Sequence, residues 1–443
     1  MANERRTFFI ETFGCQMNDH DSEIMAQLLT GSYRPVLNVN DADIVLVNTC
    51  SIREKAEQKA MSLLGCLKII KKDKPHMVIG IVGCVAQQEG KKILSRLPYV
   101  DLVMGTQNLY NLPALLGEII HNHKRIAAVE QSAAFEIPPY LPEVDKGSVH
   151  KRFVTIMQGC NNFCTYCVVP FTRGREISRK FKDIIAEVRH LAAHGVREIT
   201  LLGQNVNSYG RDLKSGQTGF AELLRAAAEV EGLKRLRFTT SNPRDLNDEL
   251  IQCFADLDIL CPHFHLPVQS GANSILKRMN RKYSIETYLD LVRRLRAARP
   301  DIAITTDIIV GFPGESEDDF QATMNLVANV RYHGAYSFKY SDRPQARSTA
   351  FTGKLSEEVK GERLARLQKR IGQIVMARNQ EYTGKNYEVM VEGRNKSRPD
   401  QWFGRTASNH IVNFTGAKSL QAGQIIDVKV IEACQHSLRG ILR

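Results

Sequence analysis

Three cysteines within nine residues form the densest chemical feature of this chain. Gly159 to Cys167 reads Gly-Cys-Asn-Asn-Phe-Cys-Thr-Tyr-Cys, which sets Cys160, Cys164 and Cys167 in a C-x3-C-x2-C spacing with Tyr166 just before the last. Three thiolates this close can cap three corners of a cubane iron–sulfur cluster. A ferredoxin-type cluster takes four thiolates and only shuttles electrons, whereas three leave one iron open to a substrate. The bland reading is a zinc knuckle, or three buried thiols. Zinc wants a fourth Cys or His at a short, regular offset. None follows within the next several residues, and His150 lies well upstream.

A second set of three is spread along the first part of the chain. Apolar, β-rich runs at Thr7 to Phe13, Asp43 to Asn48 and Met77 to Val82, with a fourth at Asp101 to Met104, alternate with helical patterns at Asp19 to Leu29, Glu54 to Ile70 and Gln87 to Leu97. Buried runs alternating with helices predict a parallel, doubly wound sheet. Cys15, Cys50 and Cys84 each fall just past the carboxyl end of one of the first three strands. In an open α/β sheet the ligand crevice lies outside those ends, so three thiols far apart in sequence are delivered to one edge. Three ordinary core cysteines are the alternative. Three equivalent positions on consecutive strands favour a second three-thiolate cluster. Cys66, among Leu64, Leu67 and Ile70, is expected to be a core residue, and Cys253 and Cys261 to be structural.

The chain between about Lys151 and Thr349 alternates again. Strands are expected at Phe153–Met157, Glu198–Leu202, Arg235–Thr239, His263–Pro267, Ile302–Val310 and Ala335–Tyr340, most of them separated by helical patterns. Six βα units suit a partial (β/α)6 barrel, whose chemistry collects at the carboxyl ends of the strands. Cys160, Gln204 with Asn205, Ser241, Gln269 with Ser270, and Gly311 to Glu315 all fall at such ends. These polar and glycine-rich ends suit the ribose, carboxylate and adenine of a nucleoside cofactor, although Gly and Asn also make ordinary turns. Tyr166, Gln204, Asn205, Ser241, Gln269 and Ser270 are the candidate cofactor-binding residues. Arg173-Gly174-Arg175 with Arg179, Lys180 and Lys182 reads either as a solvated basic face or as a phosphate-contacting rim.

Lys and Arg outnumber Asp and Glu by 60 to 48, for a net charge of +12. That balance favours a polyanionic partner such as nucleic acid. Ten cysteines in 443 residues is not disulfide-scaffold density and suits a reducing cytosol. No apolar run reaches the length of a membrane span, the longest lying around Met77 to Ala86, and the N-terminal residues lack an apolar signal core. Gln131 to Ser148, with Pro138, Pro139 and Pro142, reads as a linker. After a basic helix at Leu364 to Arg378, short strands separated by Gly or Asn turns predict a small all-β module. Arg394, Lys396, Arg398 and Arg405 lie in it around the only tryptophan, Trp402, a mixture suited to phosphate pairing and base stacking.

These motifs together resemble the radical S-adenosylmethionine methylthiotransferase family over the whole length. The residues that carry the resemblance are Thr12 to Glu23 (TFGCQMNDHDSE), Val47 to Lys59 (VNTCSIREKAEQK), Met157 to Arg179 (MQGCNNFCTYCVVPFTRGREISR) and His265 to Tyr283 (HLPVQSGANSILKRMNRKY). The resemblance implies an α/β architecture in three parts: an N-terminal methylthiotransferase domain (5–130), then after a linker (131–150) a radical S-adenosylmethionine barrel (151–378), and a C-terminal TRAM barrel that binds RNA (380–443). It implies two 4Fe–4S clusters, with Cys160, Cys164 and Cys167 on the radical one. Cys15, Cys50 and Cys84 would be metal ligands and catalytic, holding an auxiliary cluster that carries the sulfur to be inserted. One S-adenosylmethionine molecule would make a 5′-deoxyadenosyl radical and a second would methylate the sulfide. The implied product is 2-methylthio-N6-dimethylallyladenosine, formed at C2 of the modified adenosine beside a tRNA anticodon. An adenine C2–H bond is unactivated, so a radical is needed and the cofactor supplies it.

The expected partners are tRNA at its anticodon stem-loop, a reduced electron-donor protein such as flavodoxin, and a sulfide donor. The chain is expected to be a cytoplasmic monomer, away from membranes. The same chemistry on a ribosomal protein or on threonylcarbamoyladenosine in tRNA is one alternative. A non-enzymatic, zinc- or cluster-bearing RNA-binding protein is another.

Overall fold

The computed structural model describes residues 5–51, 54–132, 134–144, 147, 149–213, 219–416 and 419–443. Parts of the expected 131–150 linker (residues 133, 145, 146 and 148) and residues 52 and 53 of the Val47 to Lys59 motif lie outside them. The chain divides into two compact units, one of residues 1–143, 157–161 and 167–179, the other of 144–156, 162–166 and 180–443.

The first unit is built on one parallel sheet of six strands. In chain order these are β1 (Thr7–Phe13), β2 (Arg34–Pro35), β3 (Ile44–Thr49), β4 (Val78–Gly83), β5 (Leu102–Met104) and β6 (Ile126–Ala128). Their order across the sheet is β2-β1-β3-β4-β5-β6. Successive residues of β3 serve opposite faces. Ile44 and Leu46 enter one core with Met25, Leu29 and Leu116, while Val45 and Val47 enter the other with Leu64, Leu67 and Ile93. Burial on both faces explains why these strands read as continuous apolar runs. The expected helix Gln87 to Leu97 is two short helices, Cys84–Glu89 and Lys91–Arg96, broken at Gly90, whose φ is 54°. Cys66 lies on the exposed side of the helix Glu54–Asp73, correcting the expectation of a core residue. The buried stripe is Ala60, Leu64 and Leu67, and a residue two past Leu64 points away from it.

The second unit opens with β7 (Lys151–Thr155). Next in the chain come β8 (Met157–Gln158) and β9 (Ile177–Ser178), an antiparallel pair belonging to the first unit. The second unit resumes with β10 (Glu198–Leu202), β11 (Arg235–Thr239), β12 (His263–His265), β13 (Ala303–Val310) and β14 (Gly334–Lys339). They form two three-stranded parallel sheets, β7-β10-β11 and β12-β13-β14, linked by a parallel bridge from Leu236 to Leu260. Helices separate consecutive strands throughout, giving the expected partial (β/α)6 barrel. The helix Glu357–Gln380 then leads into five strands, β15 (Asn386–Arg394), β16 (Gln401–Thr406), β17 (Ile411–Thr415), β18 (Ile425–Ala433) and β19 (Leu438–Leu442). These close in the order β15-β16-β17-β19-β18 around Val389, Val391, Trp402, Val412, Phe414 and Leu438.

The small barrel docks at the amino ends of the large barrel's strands. At the start of β11, Arg235 donates to the carbonyls of Arg405 and Glu388, at 2.7 and 3.1 Å. Arg237 donates to those of Ala407 and Thr406, at 2.8 and 3.0 Å, and its Nε pairs with Glu198 at the start of β10. Lys151, opening β7, pairs with Glu392 at 2.9 Å. His333, just before β14, stacks edge-on against His410.

Candidate metal centres and cofactor-binding residues

In the first unit, β1 is the point at which strand order reverses. With β2 on one side and β3 on the other, the crevice of such a sheet opens beyond the carboxyl ends of β1 and β3. Cys15 follows β1 and Cys50 follows β3, so they flank that crevice, and Cys84 follows the next strand, β4. The three meet there. A hydrogen bond with the Cys50 thiol, ahead of the opposing effect of burial, pulls the Cys15 pKa down to about 6, and the nearby Arg173 charge adds to this. Burial raises the Cys84 pKa, against the pull of Arg173.

Two asparagines set the spacing. Asn18, three residues past Cys15, accepts from the Cys15 thiol at 3.3 Å and donates to Asn48 Oδ1 at 3.0 Å. Asn48, two residues before Cys50, donates back to the Asn18 carbonyl at 2.9 Å. Both side chains are fully buried, so the bonds fix the start of the helix Gln16–Thr30, which follows β1, against the end of β3. Glycine next to two of the cysteines has the same cause. A Cβ on Gly14 would run into the Asn18 side chain, and one on Gly83, whose φ is 89°, into Asn48 and the Thr49 carbonyl.

Arg173 belongs to this site and not to a solvent-facing phosphate rim. It is 3% exposed, and its Nη2 donates to Asp21 Oδ2 at 2.6 Å. Burial works against its charge, yet Asp21, Cys84 and Cys15 together raise its pKa well above the usual value. Sequence reasoning missed Asn18, Asn48 and Asp21. The available signal was their fixed offset from the cysteines, within the stretches GCQMNDHD and VNTC.

Cys160 and Cys167 lie in the first unit, where the Cys160 amide donates to the Gly174 carbonyl at 3.2 Å. Cys164 lies in the second unit. There the Arg281 guanidinium donates to Cys164 Sγ at 3.4 Å, to the Pro267 carbonyl at 3.0 Å and to Tyr283 Oη at 2.9 Å. Burial opposes the Arg281 charge, but Tyr283, Tyr166 and Cys164 raise its pKa well above the usual value. Tyr166 also packs on the cluster of Ile275, Met279, Phe312 and Tyr340.

The other candidate residues stand at the carboxyl ends of the large barrel's strands. Asn205, past β10, donates to Asp245 Oδ2 at 2.7 Å and to Ser208 Oγ at 3.0 Å, while its own Oδ1 is buried without a partner. Ser241, past the neighbouring β11, is 3% exposed and its Oγ is likewise unpartnered. Buried polar atoms without partners suit a site that completes its hydrogen bonds with a ligand. Gln204 is partly buried beside them. Gln269 has φ 73°, rare for a residue with a side chain, and is held there by bonds to Asp307 and Ile309. Ser270 turns to the protein, where its hydroxyl accepts from the Ala272 amide at 3.3 Å. Glu315 is locked in place by Arg363 at 2.7 Å and by the Gly311 amide at 2.9 Å.

Among the described residues no group of three or more His, Cys, Asp and Glu side chains forms a single-ion site. A cubane asks for a different arrangement, with one thiolate on each of three irons.

Trp402 does not present a stacking face. It is 6% exposed in the core of the small barrel, and the Arg394 guanidinium covers its ring at 4.4 Å. Arg394, Lys396 and Arg398 remain exposed on the β15–β16 hairpin.

A partial barrel with a three-cysteine loop beyond its first strand defines a radical S-adenosylmethionine protein. The model described as Radical SAM superfamily matches residues 154–327, Uncharacterized protein family UPF0004 matches 7–105 and the TRAM domain matches 380–442. Among solved structures, the radical S-adenosylmethionine methyltransferase TsrM from Kitasatospora setae shares the fold with TM-score 0.56 at 12% identity, over 78% of this chain and 74% of that one.

Relatives define the family more closely. A tRNA-2-methylthio-N(6)-dimethylallyladenosine synthase of Desulfotalea psychrophila is 54% identical over 99% of both chains. Its namesake in Geobacter metallireducens is 48% identical over 99% of this chain and 98% of its own. This chain belongs to the tRNA-2-methylthio-N(6)-dimethylallyladenosine synthase family.

Proposed function

We propose that this chain inserts a methylthio group at C2 of N6-dimethylallyladenosine next to the anticodon of tRNA, giving 2-methylthio-N6-dimethylallyladenosine. The observation that carries this reading is the convergence of Cys15, Cys50 and Cys84 at the switch point of one sheet, in a chain that holds a second three-cysteine set. Cys160, Cys164 and Cys167 would hold one 4Fe–4S cluster, and Cys15, Cys50 and Cys84 another. When bound, the clusters and S-adenosylmethionine supply the radical, the methyl group and the sulfur.

The protein's own residues position and shield. Asn205 Oδ1 and Ser241 Oγ offer hydrogen bonds to the polar groups of S-adenosylmethionine, with Gln204, Gln269 and Tyr166 around them. Ser270 supports the loop of Gln269. Asn18 and Asn48 fix the distance between Cys15 and Cys50. General acid–base groups are of little use against an unactivated C–H bond, and the unpartnered atoms at these strand ends are hydrogen-bonding groups without a titrating role.

The division of labour we propose is 5–130 for sulfur delivery, 131–150 as linker, 151–378 for radical chemistry and 380–443 for RNA, which the matched segments 7–105, 154–327 and 380–442 support. The anticodon stem-loop is the part of tRNA engaged. A flavodoxin-type protein would supply electrons and a separate donor the sulfide, to a monomer in the cytoplasm. No described helix is long and apolar enough to cross a membrane. Mass spectrometry of tRNA nucleosides from cells lacking the protein tests the reading. The methylthio nucleoside should vanish and its N6-dimethylallyl precursor accumulate; unchanged nucleosides would refute it.

A further inference from the structure

Arg173 lies six residues past Cys167 in sequence and 152 residues from Asp21, yet its guanidinium sits among the strand-end cysteines. One arm is spoken for, with Nη2 on Asp21. The guanidinium also reaches the Cys84 thiol and acts on Cys15. Nη1 is buried and has no partner. A buried guanidinium normally spends all its N–H groups, because each one left bare forfeits its hydration without replacement. A bare N–H on a buried cation beside two thiols therefore marks a place short of an anion.

We propose that Arg173 is the positioning residue for the anionic sulfur that is to be inserted, holding a hydrosulfide or small thiolate on its Nη1 arm beside Cys15, Cys50 and Cys84. This rests on the proposed cluster at those cysteines. The charge balance favours it. A cubane core of charge 2+ with three thiolates is already an anion, and a hydrosulfide adds a further negative charge in a buried crevice. Arg173 supplies the opposing charge at that spot. Asp21 fixes the plane of the fork, so the free arm keeps one direction. A lysine cannot do both, since its ammonium is a single point charge without a fork. Binding is an association with no bond broken in the protein and no electron moved.

The test uses the full chain, reconstituted anaerobically, with sodium methanethiolate as the probe and its Kd read from the change in the electron paramagnetic resonance signal of the reduced protein. Arg173→Gln should keep the parent's iron content and weaken binding by roughly tenfold or more, the loss expected of one charge-assisted hydrogen bond. Arg173→Lys should fall between the two. Asp21→Asn, whose amide oxygen can still accept from Nη2 and hold the fork while the competing negative charge is removed, should bind as tightly as the parent or tighter. If Arg173→Gln loses its iron or fails to fold, Asp21→Asn decides: retained binding supports the proposal, and binding weakened tenfold overturns it by making the pair a structural brace. Unchanged affinity in a fully loaded Arg173→Gln protein overturns it too. A parent that carries iron for two clusters but does not bind methanethiolate defeats this inference alone. A parent that carries iron for one cluster only, unaltered by Cys50→Ala, defeats the proposed function with it.

Discussion

Arg281 donates a hydrogen bond to the sulfur of Cys164 across 117 residues of sequence, at 3.4 Å. It mirrors Arg173, which reaches the Cys84 thiol in the other unit. Each three-cysteine set thus has one arginine against a thiol, Arg173 buried and Arg281 half-buried. A cation beside a thiolate favours added negative charge, and so favours the reduced state of whatever the thiolate binds.

Arg281→Gln should therefore make the radical cluster harder to reduce. A hydrogen bond to a charged group contributes about 1.5–3 kcal/mol. For a one-electron couple that corresponds to a fall of roughly 60–130 mV, at about 59 mV per tenfold change. Redox titration followed by electron paramagnetic resonance measures it. A potential within about 20 mV of the parent's, well inside that range, would show that the contact has no electronic role.

The two cysteine sets should separate cleanly. Cys164→Ala is expected to abolish reductive cleavage of S-adenosylmethionine, whereas Cys50→Ala should still yield 5′-deoxyadenosine. The Cys50 variant should lose about half the iron, if each site holds a cubane of equal nuclearity, and all methylthiolation of tRNA. Full iron with normal methylthiolation in Cys50→Ala would mean that the meeting of the strand-end thiols is only packing.

RNA affinity should depend on the exposed hairpin cations. Replacing Arg394, Lys396 and Arg398 by Ala should lower the slope of log K against log salt by about 2–3 in total, at about 0.7–0.9 per lost phosphate contact. An unchanged slope rejects the hairpin as the contact. Deleting everything after Gln380 is a poorer probe than it looks from sequence. Truncation strips Arg235 and Arg237 of four carbonyl acceptors and leaves buried cations short of partners. The truncated chain should melt at a lower temperature, which differential scanning calorimetry will show.

Acid should loosen the seam between the two barrels. Burial, aided by Arg378, His410, Arg296 and Arg331, lowers the His333 pKa to about 3. Burial, opposed by a Ser408 hydrogen bond and aided by Arg405, lowers that of His410 to about 4. Both are neutral when folded and titrate near 6.5 when unfolded, so the unfolded chain binds more protons as pH falls below about 6.5. Stability should drop through that window, by up to about 1.4 kcal/mol per pH unit for each histidine. Urea midpoints at neutral and mildly acid pH measure the effect. A His410→Gln variant with an undiminished pH dependence would assign it elsewhere.

Strand positions, and with them the strand-end placement of Cys15, Cys50 and Cys84, were legible in the sequence because they depend on local pattern. A β3 that reads IVLVNT is apolar on both faces, and a cysteine one or two residues past a strand end falls at that edge of the sheet. Asp21 and Arg173, or Cys164 and Arg281, meet only through the fold, so no window of sequence holds both partners. Trp402 misled for a different reason. Its mixed neighbours suggested an open surface, but β16 alternates, and Trp402, Gly404 and Thr406 face inward while Phe403 and Arg405 between them do not. The period of two held the answer. The basic run after Cys167 misled in the same way, since net charge does not say which member turns inward.

The small barrel grips the large one at the amino ends of β7 and β11, each five residues long, while Asn205 Oδ1 and Ser241 Oγ wait past the opposite ends of β10 and β11. At about 3.3 Å per residue those strands span roughly 17 Å. An RNA that touched both the small barrel and the Asn205–Ser241 end would have to span at least that length. The arrangement would favour a substrate with enough ordered length to touch both ends at once over a bare loop of a few nucleotides.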